Sequence, residues 1–295
     1  MSTASGPLIL ILSEDMLFST RLQDTLASQG YRAMVIERPA QLDAEGVVAD
    51  RPIPLTEPLT GADAGFIRRL SEVQPAMMVV DLTAKDLPWR RWIQIMKTSS
   101  ASRRIPILAF GPHVEKEAFE QAKLAGADKV VPRGQIAKKL PELVDELARL
   151  VDRDELTKAC QRPLSALAWR GIELHNEGEY FEAHEFLEEA WMAEPGEAGY
   201  LYRALLQVTV THLHIQRGNQ RGATKMLLRL RQWLDPLPDR CRGVKIDELK
   251  TRVSMLRKAV QKLGPDSLDQ LDRSLLGPFP LEENPPQPDS QPDDA

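Results

Sequence analysis

Short apolar runs recur along the first half of the chain: LILIL at 8–12, AMVI at 33–36, AMMVV at 76–80, IPILAF at 105–110 and KVV at 129–131. Each is bounded by polar or turn residues, and together they predict five strands. The stretches between them, FSTRLQDTLASQG, FIRRLSEV, WRRWIQIMKTS and EKEAFEQAKLAGA, space their apolar residues at helical period, as does PELVDELARLV after the last run. Alternating strands and helices predict an α/β domain over 1–150, a five-stranded, doubly wound parallel sheet of the flavodoxin type covered on both faces. A proline-rich stretch from Glu45 to Thr60 interrupts the second unit and reads as a loop insertion.

After Val151 the strand pattern stops. A linker is expected over 151–164 and an all-α bundle over 165–280. Its helices are LSALAWRGIELHNEG, EYFEAHEFLEEAWM, GYLYRALLQVTVTHLHIQRG, RGATKMLLRLRQWL and IDELKTRVSMLRKAVQKLG, punctuated by Gly, Pro and Asn. The closing LEENPPQPDSQPDDA, 281–295, is acidic, rich in proline and short of apolar side chains, and is expected to be disordered.

Composition narrows the partners. A net charge of −5 gives no electrostatic reason to bind nucleic acid or anionic lipid, and no helix with basic flanks suggests DNA reading, so protein partners, including a homodimer, or small molecules are expected. The run Leu8 to Leu12 is too short to span a membrane and lacks a signal peptide's basic flank. Cys160 and Cys241, far apart in sequence and without metal-ligand spacing, suggest neither a disulfide framework nor a zinc site. A reducing cytoplasm fits this usage best.

In an open parallel sheet, chemistry gathers at the carboxyl ends of the strands. Those ends carry Ser13, Glu14 and Asp15, then Asp81, Gly111 and Arg133. The five-strand order, the aspartate closing VVDL and the GAD at 126–128 resemble the receiver domain of two-component response regulators, over about residues 7–150. The resemblance implies that Asp81 accepts a phosphoryl group and that an acidic pocket, here Glu14 and Asp15, holds Mg²⁺; no other cofactor is implied. Departures accompany it. Ser13 and Glu14 align with the family's acidic pair, Gly111 followed by Pro112 replaces the switch Thr or Ser, and Arg133 replaces its lysine. Two readings stand: a phosphorylatable switch, or a receiver fold kept as an interaction or dimerisation module.

Four of the five histidines lie between His175 and His214. Helical phase puts Tyr180, Phe181, His184, Leu187, Glu188 and Trp191 on one arc, and Arg203, Gln207, Thr211 and His214 along one stripe of the next helix. Buried polar groups need partners, so Glu188 is expected to meet Arg203, and His184 to meet Gln207 or His214. Three readings fit: a structural network that fixes helix register, a catalytic or ligand pocket in which Glu188 tunes His184, or a metal held by His184, Glu188 and His214. Two histidines and a carboxylate meet by chance too often for a metal to be assigned. Whether the chain is an enzyme is left open. His175 and His212 are read as unrelated to the cluster.

GEYFEAH at 178–184 and GNQRGAT at 218–224 each place Ala five residues after Gly, at the start of a hairpin's second helix. Gly171, Gly178, Tyr180, Ala183, Ala190 and Pro195 resemble a tetratricopeptide repeat, which would imply a peptide-binding groove. Over about 165–233 the stronger resemblance is to the helical family catalogued as domain of unknown function 309. It rests on Glu182 to Glu185, Trp191, Gln207 and the Gly218–Asn219 turn. That resemblance implies a compact helical bundle and no established activity. The leading expectation is a cytoplasmic regulatory protein, a degenerate receiver-like domain joined to a helical domain, acting through protein contacts.

Overall fold

The computed structural model describes residues 6–42, 59, 61–99, 102–263 and 267–283, in two compact units that divide between Leu150 and Val151. Apart from Leu59, the proline-rich insertion lies outside the described residues, and so does the tail from 284 onward.

In the first unit the strands are β1 (Leu8–Leu12), β2 (Arg32–Ile36), β3 (Met77–Asp81), β4 (Ile107–Gly111) and β5 (Lys129–Pro132), all parallel, in the order β2-β1-β3-β4-β5. The helices are α1 (Met16–Ser28), α2 (Gly61–Val73), α3 (Trp89–Thr98), α4 (Lys116–Ala125) and α5 (Arg133–Leu147). Alternate strand residues divide the core. Leu10, Leu12, Met78, Val80 and Ala109 pack with Phe66, Trp92 and Ala122 of α2–α4. Ile9, Ile11, Val79, Leu108 and Phe110 pack with Leu22 and Leu26 of α1 and Ile136 and Leu140 of α5. Strands buried on both faces read as unbroken apolar runs, which is why LILIL shows no polar alternation. The register pairs Asp81 with Phe110 and Gly111 with Pro132, so Ser13, Asp81, Gly111 and Arg133 share the carboxyl edge. α5 begins earlier than its apolar pattern suggests and kinks at Lys139, two residues before Pro141, whose ring excludes regular helix there.

The second unit holds α6 (Arg153–Cys160), α7 (Ala166–Glu177), α8 (Tyr180–Ala193), α9 (Ala198–Gln216), α10 (Gln220–Leu234), the two-residue strands β6 (Arg240–Cys241) and β7 (Val244–Lys245), and α11 (Ile246–Lys262). The stretch expected as a linker therefore carries a helix. Asp152 caps α6 by accepting from the backbone N–H of Asp154 and Glu155, and Leu156, Ala159 and Cys160 are buried. α7 packs on α8, α8 on α9 and α9 on α10, with α9 buried nearly all round. Gly178 (φ +89) and Gly218 (φ +70) take left-handed conformation after helix ends and open the two repeated segments, and Ala183 and Ala223 of those segments are both fully buried. The last described stretch straps back: Lys245 N–H donates to Pro280 C=O, Glu282 N–H to Gly243 C=O, and Leu281 bridges Val244. Residues 281–283, expected to be disordered, thus extend the β6–β7 hairpin.

The two cysteines, read as unpaired, form a disulfide, with Cα atoms 4.3 Å apart. Their separation of 81 residues says nothing about distance once the hairpin has folded onto the end of α6.

Candidate functional site

At the receiver-like edge every acidic side chain already has an assignment. Asp81 is 1% exposed. Its Oδ2 accepts from Ser13 Oγ at 3.0 Å, and its Oδ1 accepts from Thr83 N–H at 3.0 Å and Thr83 Oγ1 at 2.7 Å. Glu14 turns to the loop after β3, accepting from the backbone N–H groups of Lys85, Asp86 and Leu87 at 3.0, 2.7 and 2.9 Å. Burial alone would raise its pKa, but these donors outweigh it and hold the carboxyl below the usual range. Asp15 caps α1 through Phe18 N–H at 3.0 Å and pairs with Arg133. Its pKa is lowered first by the Phe18 bond and then, against some desolvation, by Arg133. The Arg133 guanidinium lies 4.1 Å from the centre of the Phe18 ring. At Gly111 an added Cβ would meet Phe119 at 3.3 Å and Leu82 at 3.4 Å, so this position is walled by apolar side chains as well as lacking a hydroxyl.

Mg²⁺ needs several oxygens converging in octahedral geometry with room for water. Here the three carboxylates diverge, to Ser13 and Thr83, to a loop backbone, and to a helix cap with an arginine. Among the described residues no group of three or more His, Cys, Asp or Glu gathers as a metal would require. The residues present do not fit the ion the resemblance implies.

In the helical unit the expected cluster does not form. The buried stripe of α8 is Ala183, Leu187 and Ala190, with Phe181 45% exposed and His184 at the boundary. Small residues mark the true face because α7 crosses close. A Cβ on Gly171 would lie 2.7 Å from Leu187 Cγ and 3.2 Å from the Ala183 carbonyl. Helical phase weighted by large aromatics rotated the face away from the alanines. His184 Nδ1 engages the Phe181 carbonyl of its own helix, and its ring lies 5.0 Å from the Phe181 ring. His214 meets Asn219 at 3.2 Å, and burial, with Arg217 adding to it, lowers its pKa.

Arg203 pairs with no carboxylate among the described residues, Glu188 included. Its guanidinium is held between Trp191 at 4.5 Å and Trp233 at 4.4 Å, and burial lowers its pKa. Gln207 is buried with its Oε1 unpartnered, while its backbone carbonyl accepts from Thr211 Oγ1 at 2.6 Å. Two surface cavities of this unit, about 580 Å³ beside Glu194 and Glu197 and about 310 Å³ beside Cys160 and Cys241, are lined by none of the five candidates.

Two constellations emerge that the sequence pattern did not single out. The first is the pair read as unrelated, His175 and His212, which are 2% and 3% exposed with ring centres 4.9 Å apart. His175 Nδ1 meets Thr209 Oγ1 at 2.9 Å and its ring stacks on Phe279 at 3.9 Å, while Tyr180 lies 5.3 Å edge-on to His212. Burial, and for His175 also the neighbouring His212, holds both neutral; the His212 pKa falls to about 4. The second centres on Arg242, buried, with φ +51 in the turn between β6 and β7. It forks onto Glu194 at 2.8 and 3.0 Å, bonds Tyr202 Oη, and donates to the carbonyls of Ala159 at 2.9 Å and Pro163 at 3.2 Å. Burial would raise the Glu194 pKa, but Arg242 and Tyr202 outweigh it and lower it. The only cue in the sequence is Arg-Gly at a turn where both central residues take positive φ, a place usually filled by Asn-Gly.

Residues 168–226 match the family described as "Domain of unknown function (DUF309)". The DUF309 segment spans α7 to α9 and the first half of α10. No curated protein matches the chain. Among solved structures, a response-regulator receiver domain from Bermanella marisrubri is 19% identical, with 48% of this chain and 98% of that chain covered and a TM-score of 0.36. Chemotaxis response regulator CheY4 of Vibrio cholerae is 11% identical, covering 48% and 98%, with a TM-score of 0.36. The receiver domain of sensor histidine kinase PA1611 from Pseudomonas aeruginosa PAO1, with a magnesium ion coordinated in its active site cleft, is 15% identical, covering 48% and 97%, with a TM-score of 0.37. The receiver-like fold of the first unit rests on its own strand order and two-faced core. No helix among the described residues is long and apolar enough to cross a membrane.

Proposed function

We propose that the chain is a regulatory protein whose receiver-like unit works by contact with protein partners, a second copy being one form, and not by phosphoryl transfer. The observation that carries this is the burial of Asp81 and the engagement of both its oxygens by neighbouring side chains and backbone. A phosphoryl acceptor must present a lone pair to solvent beside a metal, and this carboxylate spends its oxygens on Ser13 and Thr83 while buried. Support for the contact reading comes from Met16 and Leu17, 63% and 81% exposed at the start of α1, and Val114, 71% exposed after β4. These are apolar side chains next to the edge where the chemistry would otherwise stand.

The test is incubation of the full chain with a small phosphodonor and Mg²⁺, read by intact mass beside an ordinary receiver domain. No gain is expected under conditions that label the control. A gain of one phosphoryl group, lost in Asp81→Asn, overturns the proposal. The enzyme reading on His184, Glu188, Arg203, Gln207 and His214 is not the one proposed, since among the described residues no hydrogen bond or ion pair joins these side chains to one another.

A further inference from the structure

The cysteine pair offers chemistry that the contact reading leaves unused. Cys160 ends α6 and Cys241 lies in β6, and both line the open cavity of about 310 Å³, together with Thr157, Gln161, Arg240 and Glu282. Cys160 is 9% exposed and Cys241 is 2% exposed. The hairpin is also fastened to α6 without the sulfurs. Arg242 N–H donates to the Cys160 carbonyl at 2.8 Å, Arg242 Nε donates to the Ala159 carbonyl at 2.9 Å, and the Arg242 guanidinium forks onto Glu194.

We propose that Cys160 and Cys241 form a thiol–disulfide exchange site for low-molecular-weight thiols such as glutathione, one that cycles while the helical unit stays folded. A small thiolate attacks Sγ of Cys160, the more exposed of the two residues. The S–S bond breaks, a mixed disulfide forms at Cys160, and Cys241 leaves as a thiolate that takes a proton from solvent. A second small thiol attacks the mixed disulfide, restoring the Cys160 thiol and releasing the small disulfide. Two electrons pass from two thiols to one protein disulfide. Because Arg242 keeps the hairpin on the end of α6, the two thiols remain neighbours, and the high effective concentration favours re-closure when the pool turns oxidising. A disulfide that alone held its elements together would release them on reduction and could not cycle in this way.

The test uses the full chain, equilibrated with glutathione buffers of increasing reducing power, quenched with a maleimide and weighed intact, with far-UV circular dichroism recorded in parallel. Labelling is expected to rise from zero to two maleimides under native conditions with the helical signal unchanged, and to return to zero in oxidised glutathione. Cys241→Ser, which leaves Cys160 alone, is expected to take up one glutathionyl group from oxidised glutathione. The double variant Cys160→Ser, Cys241→Ser is expected to retain the wild-type helical signal. Three results overturn the proposal: labelling that appears only with denaturant, loss of helix in step with reduction, or a double variant that does not fold.

Discussion

The two units differ in how far their buried polar groups are partnered. In the receiver-like unit, the conspicuous acids each accept two or three hydrogen bonds from within the unit. In the helical unit more of the buried polar atoms are left over, His212 Nδ1, Gln207 Oε1 and Arg203 Nε lacking partners, against Ser19 Oγ in the receiver-like unit. A fold known for its reactive edge can therefore be the quieter half, and a bundle without a family activity can hold the groups most displaced from their solution behaviour. Resemblance locates a fold; the donor count at each oxygen decides whether the site survives.

Arg242 is the strongest point at which to break the helical side of this comparison. Replacing it with Ala orphans Glu194 and Tyr202 and opens the turn. A loss of about 3–5 kcal/mol in urea unfolding is expected, on the scale for removing one member of a buried pair. Arg242→Lys should recover only part of it, because a single ammonium cannot fork onto Glu194 while reaching the Ala159 carbonyl.

Acid should separate the units. A histidine free in the unfolded chain titrates near 6.5, whereas folded His212 titrates at about 4, so the unfolded state takes up the proton first. The stabilising contribution of neutral His212 is whole above about pH 6.5 and is lost as pH falls from there towards 4, by about 3 kcal/mol. His175, shifted the same way, adds to it. In the receiver-like unit the lowered carboxyls Glu14 and Asp15 act in a lower window, losing their contribution only as pH falls through the acid range below about 4. Hydrogen exchange followed by mass spectrometry from pH 7.5 to 4.5 should show the helical unit opening first, and simultaneous loss of both would contradict the comparison.

On the receiver-like side, Asp81→Ala should cost about 2 kcal/mol by orphaning Ser13 Oγ and the Thr83 donors in a buried site. A destabilisation below about 0.5 kcal/mol in chemical denaturation would mean that these bonds are not holding the edge. The smallest effect is expected at His184. With its ring at the boundary of the buried face and bonded only within α8, His184→Ala should change stability by less than about 1 kcal/mol in the same measurement, where a buried register-fixing network would lose more.

The strands and the longer helices were legible because their apolar periods are long and unbroken. α6 was not, because RDELTKAC has only one large apolar side chain in eight residues and its core face is made by Ala159 and Cys160 as well as Leu156. β6 and β7 are two residues each, too short for any period. The receiver-like edge was legible as a set of positions, but not in its hydrogen bonding, since Ser13 is as ready to fasten Asp81 as to leave it open. The helical cluster was misplaced for two reasons. The packing face of α8 is carried by alanines, and α9 is buried nearly all round, so phase alone cannot separate His212 from His214. His175 had a local sign, its place in the last turn before the Gly178 cap, but its neighbour Phe279 is more than a hundred residues away.

The cross-link between Cys160 and Cys241 encloses the whole of residues 168–226. In the oxidised protein the unfolded chain is therefore a ring through the matched segment, with its conformational freedom curtailed before folding begins, by roughly 4 kcal/mol in the chain-entropy account. A fragment cut at the edges of the match would have neither the ring nor Arg242, and Glu194 would face a missing partner. The matched segment and the fastened unit differ in extent: the first starts in α7, while the cross-link and Arg242 tie it between α6 before it and the β6–β7 hairpin after it.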